Sequence, residues 1–120
     1  MDIQVRDSLF DLQPDSDPSQ KTVTVRRAET PLYKVWVYLD GRDLPFVESV
    51  TYTLHSTFPD PVRKVERTVA NPKCALIIWT WGIFEVKASV RNKQGRRYDL
   101  RHRLTYDLEL SRGGLEYVYV

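Results

Sequence analysis

Cysteine, histidine and methionine are nearly missing from this sequence: Cys74 stands alone, only His55 and His102 occur, and Met1 is the one methionine. A lone thiol excludes an internal disulfide and suits a reducing compartment, so the expected location is cytoplasmic, or nuclear if the source is eukaryotic. Two distant histidines without a second cysteine cannot supply a usual zinc-ligand set, and neither a metal nor a cofactor is expected. Helical signals are lacking as well. No stretch of ten or more residues joins a 3.6-residue apolar period to a capping residue, and alanine is scarce. The longest apolar run, Cys74 to Trp79, falls far short of a bilayer span, and no basic leader with an apolar segment opens the chain, so neither membrane nor secretion is expected. Charge of one sign is not in excess. Eighteen Lys and Arg face sixteen Asp and Glu, a net +2, which is too mild to nominate nucleic acid by itself. At 42% hydrophobic and 28% charged the 120 residues are no disordered tail, and they suffice for one core without a staple.

What is abundant is alternation. Tyr33, Val35, Val37 and Leu39 share one face of a strand, and Lys34, Trp36 and Tyr38 share the other, whose aromatics imply a cover on both sides. Val50, Tyr52 and Leu54 alternate with Thr51, Thr53 and His55, and Phe84, Val86, Ala88 and Val90 with Glu85, Lys87, Ser89 and Arg91. The alternation from Arg97 to Leu110 is too long for one regular strand and predicts a bulge or break within it. Turn residues punctuate these runs at Asp40-Gly41, Asn71-Pro72, Lys93-Gln94-Gly95 and Gly113-Gly114. Many short strands with little helix predict an all-β chain folded as an antiparallel β-sandwich. Asp11 to Gln20 reads as a polar, proline-bearing linker. It sets an edge strand at Ile3–Arg6 and a segment ending at residue 22 apart from a domain over residues 23–120.

Catalytic constellations are weak. A Cys74–His55 nucleophile pair is set against a Cys74 that opens an apolar run and reads as a small buried hydrophobe. His102, on the apolar face of its strand, reads as a core histidine with its hydrogen bonds met. No phosphate-cradling loop, nucleophile elbow or carboxylate pair is present, so an enzyme is not expected. Arg63, Lys64, Arg67, Arg91, Lys93, Arg96, Arg97, Arg101 and Arg103 could track a phosphate backbone, but interspersed Glu66, Asp99, Asp107 and Glu109 make a solvated strand face the simpler reading, and nucleic acid is not the expected partner. Two turn segments carry aromatics that a core does not require. Leu54-His55-Ser56-Thr57-Phe58-Pro59-Asp60-Pro61 ends one strand, and Trp79-Thr80-Trp81-Gly82-Ile83-Phe84 reads as two strands joined by a tight turn at Gly82. On spacing alone Phe58 and Trp81 fit two roles: plugs for the ends of the sandwich, or walls of a slot for a flat, uncharged group.

These segments resemble the signatures of the YEATS domain family. Phe46 through Pro61 is similar to its F-V-x-x-V-x-[FY]-x-L-H-x-S-F run with following prolines, and Trp81-Gly82-Ile83-Phe84 to its G-[WY]-x-x-F. Val35–Gly41 is similar to the family's first strand and Tyr106-Asp107-Leu108 to a strand near its end, so the resemblance covers roughly Tyr33 to Leu110. It implies an immunoglobulin-like β-sandwich and a non-catalytic reader of acylated lysine, acetyl or crotonyl, through an aromatic cage. Carried over by position, Phe58 and Trp81 would be the rings, Thr57 the hydroxyl, His55 its brace, and the Trp81–Gly82 backbone the partner of the acyl carbonyl. Thr80 stands in place of a glycine before the second aromatic and belongs to the same ligand-binding set. Ile77 and Ile78 fall where eukaryotic members carry acidic residues, and the sequence is more similar to the prokaryotic branch. The implied partner is a protein or peptide, acylated on lysine, with covalently linked neighbouring domains expected in the intact protein. The alternative is a protein-interaction or scaffold domain of a larger prokaryotic signalling or conflict protein, with the motif aromatics structural.

Overall fold

A computed structural model describes residues 1–12 and 21–120. Among these residues nine strands form two sheets that pack face to face: β1 (Gln4–Ser8), β2 (Thr22–Arg26), β3 (Leu32–Asp40), β4 (Val47–Thr53), β5 (Val62–Glu66), β6 (Leu76–Thr80), β7 (Glu85–Asn92), β8 (Arg97–Arg103) and β9 (Glu116–Tyr119). In the first sheet β3 pairs antiparallel with β6 on one side. On its other side it meets β1 through Trp36–Asp40 and β2 through Leu32–Tyr33, and β9 then pairs with β2 in parallel. The second sheet is antiparallel throughout, in the order β5-β4-β7-β8. Among the described residues helix is confined to a 3-10 turn at Leu44–Phe46 and to α1 (Tyr106–Leu110).

The alternation expected in β3, β4 and β7 is what seals the core. Val35, Val37 and Leu39 face Val50, Tyr52, Val86 and Val90, all fully buried. The Tyr52 hydroxyl reaches the Cys74 carbonyl at 2.8 Å, so the one polar atom of that large side chain is satisfied. Cys74 is itself buried, and burial pushes its thiol up to about 11, away from nucleophilic use at neutral pH. The N-terminal strand lies inside this structure. Ile3, Val5 and Leu9 join the same core as residues 23–120, so the strand expected at Ile3–Arg6 packs as part of the sandwich. The linker expected over Asp11–Gln20 lies mostly outside the described residues.

Three sequence expectations need correction. The long alternation from Arg97 does break, but its second half is not a strand: β8 ends at Arg103 and Tyr106–Leu110 is helical, as against the strand expected at Tyr106-Asp107-Leu108. The buried Asp7 carboxylate takes the Thr105 N–H at 2.9 Å and the Thr105 hydroxyl at 3.0 Å, so the chain leaves the ladder there. Trp79 and Phe84 do not flank a hairpin. β6 belongs to the first sheet and β7 to the second, and residues 81–84 cross between them. The β2–β9 pair is parallel, an exception to the antiparallel rule of the rest.

Candidate binding groove

Three connections meet at one end of the sandwich: the β2–β3 loop, the loop after β4, and the crossing from β6 to β7. The loop after β4 is closed at its base by a bond from Leu54 N–H to the Pro61 carbonyl at 2.8 Å, and a second turn inside it runs from Phe58 N–H to the His55 carbonyl at 3.0 Å. Arg63, on β5, donates to the Asp60 carbonyl at 3.0 Å and to the Pro59 carbonyl at 2.9 Å, which holds the proline stretch in place. Asp60 adopts a φ of 47°, a left-handed turn that an aspartate tolerates better than most residues.

His55 and Thr57 form a local pair. The Thr57 N–H approaches His55 Nδ1 at 3.3 Å and Thr57 Oγ1 lies 2.8 Å from the same nitrogen. With Nδ1 receiving the amide, the neutral ring carries its proton on Nε2 and the hydroxyl donates to Nδ1. Thr57 Oγ1 then keeps its lone pairs for an outside donor. Behind them Phe84 backs both rings, its centroid 5.3 Å from Phe58 and 6.2 Å, edge-on, from His55.

The second wall is built on Thr80. Its side chain is buried, and its hydroxyl lies 3.3 Å from both the N–H and the carbonyl of Gly82, fixing the turn that follows. Tyr106 adds a 2.9 Å bond from its hydroxyl to the Gly82 carbonyl, and burial pushes that phenol up to about 12. Gly82 does not have a positive φ, and a Cβ placed on it would meet nothing within 4 Å, so the turn itself does not demand glycine. Trp81 projects from this braced turn with 69% of its surface exposed, whereas Phe58 is half-buried against the core.

His55, Thr57, Phe58, Thr80, Trp81 and Gly82 thus line a single open groove of about 450 Å³, together with Leu32, Pro59, Trp79, Ile83 and Phe84. All six residues singled out in the sequence are brought together. Phe58 and Trp81 both line the groove, and no ring contact joins them. No carboxylate is among the lining residues. Neither brace carries a motif of its own: Arg63 reads as one more basic residue until the proline turn folds back on it, and Tyr106 acts on a carbonyl 24 residues away. Among the described residues no cluster of three or more His, Cys, Asp or Glu could hold a metal ion, and no helix is long and apolar enough to cross a membrane.

An immunoglobulin-like β-sandwich carrying an aromatic groove between its end loops is the class of domain defined here. The chain belongs to the prokaryotic YEATS domain family, whose model matches residues 33–105. The solved structures it is similar to include the yeast AF-9 homolog Yaf9, at 21% identity and a TM-score of 0.56, with 87% of this chain and 64% of that chain covered. The Yaf9 YEATS domain recognizing an H3K122suc peptide aligns at 20% identity and a TM-score of 0.55, covering 90% of this chain and 71% of that one. The Yaf9 YEATS domain bound to H3K27ac aligns at 18% identity and a TM-score of 0.51, covering 86% and 73%. At these identities the likeness establishes the fold. No curated protein sequence matches the chain.

Proposed function

We propose that this domain is a non-catalytic recognition module that binds an acylated lysine of a partner protein in the groove between Phe58 and Trp81. The observation that carries the reading is Trp81, 69% exposed on a turn held by Thr80 and Tyr106, where a plug for the core would be covered. Acylation removes the lysine charge and leaves a planar amide, which suits aromatic walls. Thr57 Oγ1, its proton turned to His55, accepts the amide N–H. The Gly82 N–H, only loosely held at 3.3 Å by Thr80, is available to the acyl carbonyl with that of Trp81. An unmodified ammonium would lose its water in a groove whose walls offer no carboxylate, and this supplies selectivity. Each hydrogen bond is worth about 0.5–1.5 kcal/mol and each ring about as much beyond its area, so a dissociation constant on the order of 10–100 µM is expected once association entropy is paid.

The test is a calorimetric titration with one peptide bearing unmodified, acetylated or crotonylated lysine. Trp81→Ala is expected to abolish acyl-peptide binding with cooperative unfolding unchanged. Phe58→Ala is expected to abolish binding and to lower stability by about 1–2 kcal/mol, since that ring also packs on Phe84. Wild-type affinity in either variant would refute the groove as the site. A scaffold role has one observation in its favour, the β9 edge strand, whose Tyr117, Val118 and Tyr119 are all exposed. Under that reading the same two variants would lose stability alone.

A further inference from the structure

The groove does not end at its loops. Leu32 and Trp79, two of its lining residues, stand on the outward face of the first sheet, where alternation along β3 and β6 also places Lys34, Trp36, Tyr38 and Ile77. On this face cations lie on rings in succession. The Arg26 guanidinium sits 4.1 Å over Trp79, Lys34 Nζ 5.0 Å over Trp36 and 6.0 Å from Trp79, and Lys73 Nζ 5.6 Å over Tyr38. Among the described residues none of these three cations has an ion-pair partner, whereas Arg6, at the far end of the same face, is paired with Asp40, and on the second sheet Lys64, Arg91 and Arg101 are paired with Glu66, Glu48 and Glu85. Arg26 and Lys34 thus set a stripe of positive charge, with no ion-pair partner among the described residues, on the part of this face that opens into the groove at Trp79.

We propose that the polypeptide flanking the acylated lysine is acidic, and that its carboxylates lie along this stripe on Arg26 and Lys34, reaching toward Lys73. The proposal rests on the acyl-lysine reading of the groove and names the kind of partner it takes. From Leu32 to Tyr38 the stripe is about 20 Å long at ~3.3 Å per residue, enough for roughly six residues of extended peptide. Charge favours an acidic segment and repels a basic one, lysine-rich tails included. The rings argue against nucleic acid as the occupant. Stacking of bases needs open aromatic faces, but Trp36 is only 8% exposed and Trp79 carries the Arg26 guanidinium. What the stripe offers is ammonium and guanidinium groups held by rings beneath them, which suits carboxylates on a flexible chain.

Three peptides of equal length test this, each with one central acetyllysine and flanks of Glu and Ser, of Ser and Gly, or of Lys and Ser. Binding is followed by anisotropy at low and at physiological salt. The acidic peptide is expected to bind about tenfold more tightly than the basic one at low salt, with the gap narrowing as salt rises. In the doubly substituted Arg26→Gln, Lys34→Gln protein the three peptides should converge, with the neutral peptide bound as by wild type; each single variant should close part of the gap. Equal binding of all three by the wild type, or preference for the basic flank, overturns the acidic-partner inference and leaves the acyl-lysine reading standing. Failure of all three to bind overturns both. A single-stranded ten-nucleotide DNA that binds more tightly than the acidic peptide, and is lost in the double variant, assigns the stripe to nucleic acid and overturns it as well.

Discussion

Two glycines show how differently single residues bear on the fold and on the groove. Gly41 turns the chain between β3 and β4 at a φ of +139°, and a Cβ there would lie 2.3 Å from the Asp2 carbonyl oxygen. Asp2 in turn ties the N-terminus to this turn, its N–H donating to Asp43 Oδ2 at 2.7 Å. Gly41→Ala is therefore expected to cost about 1–3 kcal/mol of stability and to release the first residues, a change that thermal unfolding and amide exchange at Asp2 and Ile3 would report. Gly82 carries no such constraint, and Gly82→Ala should unfold within about 0.5 kcal/mol of wild type. If the glycine is there to leave room for a ligand, that variant loses peptide affinity instead. A large loss of stability in Gly82→Ala would show that the turn, not the ligand, needs the missing side chain.

At the scale of elements, the N-terminal strand reaches the groove through a chain of polar contacts. The Asp7 side chain, wholly buried, meets His102 Nε2 at 2.6 Å and accepts from Thr105, and Glu109 of α1 accepts from the Leu9 N–H at 2.9 Å and the Ser8 hydroxyl at 3.1 Å. These bonds seat α1, and α1 delivers Tyr106 to the Gly82 carbonyl. Asp7→Ala takes the partner from both the Thr105 N–H and His102 Nε2 and should cost about 1–3 kcal/mol. It should also speed exchange of the Thr105 amide and weaken, though not abolish, acyl-peptide binding; unchanged exchange there would contradict this coupling. The same contacts explain what could and could not be read in advance. β3, β4 and β7 are legible because one face of each is fully buried, so a period of two is imposed on the residue types. His102 is legible through the alternation of β8, whose inner face is half-buried, and its Nε2 meets Asp7 there. Tyr106-Asp107-Leu108-Glu109-Leu110 alternates just as well, yet is helical, because its conformation is decided by a carboxylate nearly a hundred residues away. β5 escaped notice because charged residues fill it, and β9 because both of its faces are exposed, leaving no burial to pattern either strand. In the groove, Phe58 and Trp81 were legible through their motifs. Tyr106 and Leu32 were not, since their neighbours come from other strands, and Arg63 was not, since its backbone partners carry no residue-type signal.

Taken whole, the molecule is a two-sheet sandwich with the proposed groove at one end and the proposed stripe along one face. The core's few ionisable groups make its alkaline limit specific. The Cys74 thiol stands at about 11 in the fold against an ordinary 9, so the unfolded chain gives up that proton first as pH rises. Its contribution to stability is complete below pH 9 and is lost between pH 9 and 11, and burial of Tyr106 and Tyr52 extends the decline above pH 10. Cys74→Ala is expected to lower stability at pH 7 by leaving a small cavity and to flatten the fall between pH 9 and 11; an unaltered slope there would contradict the assignment. The central claim, that the loop-end groove receives an acylated lysine, is tested most directly by an NMR titration of the labelled domain with one peptide in its acetylated and unmodified forms. The account predicts saturable shifts centred on Thr57, Phe58, Trp81 and Gly82 with the acetylated peptide and none there with the unmodified one. Equal shifts with both forms, or no shifts in those loops at millimolar peptide, would contradict it.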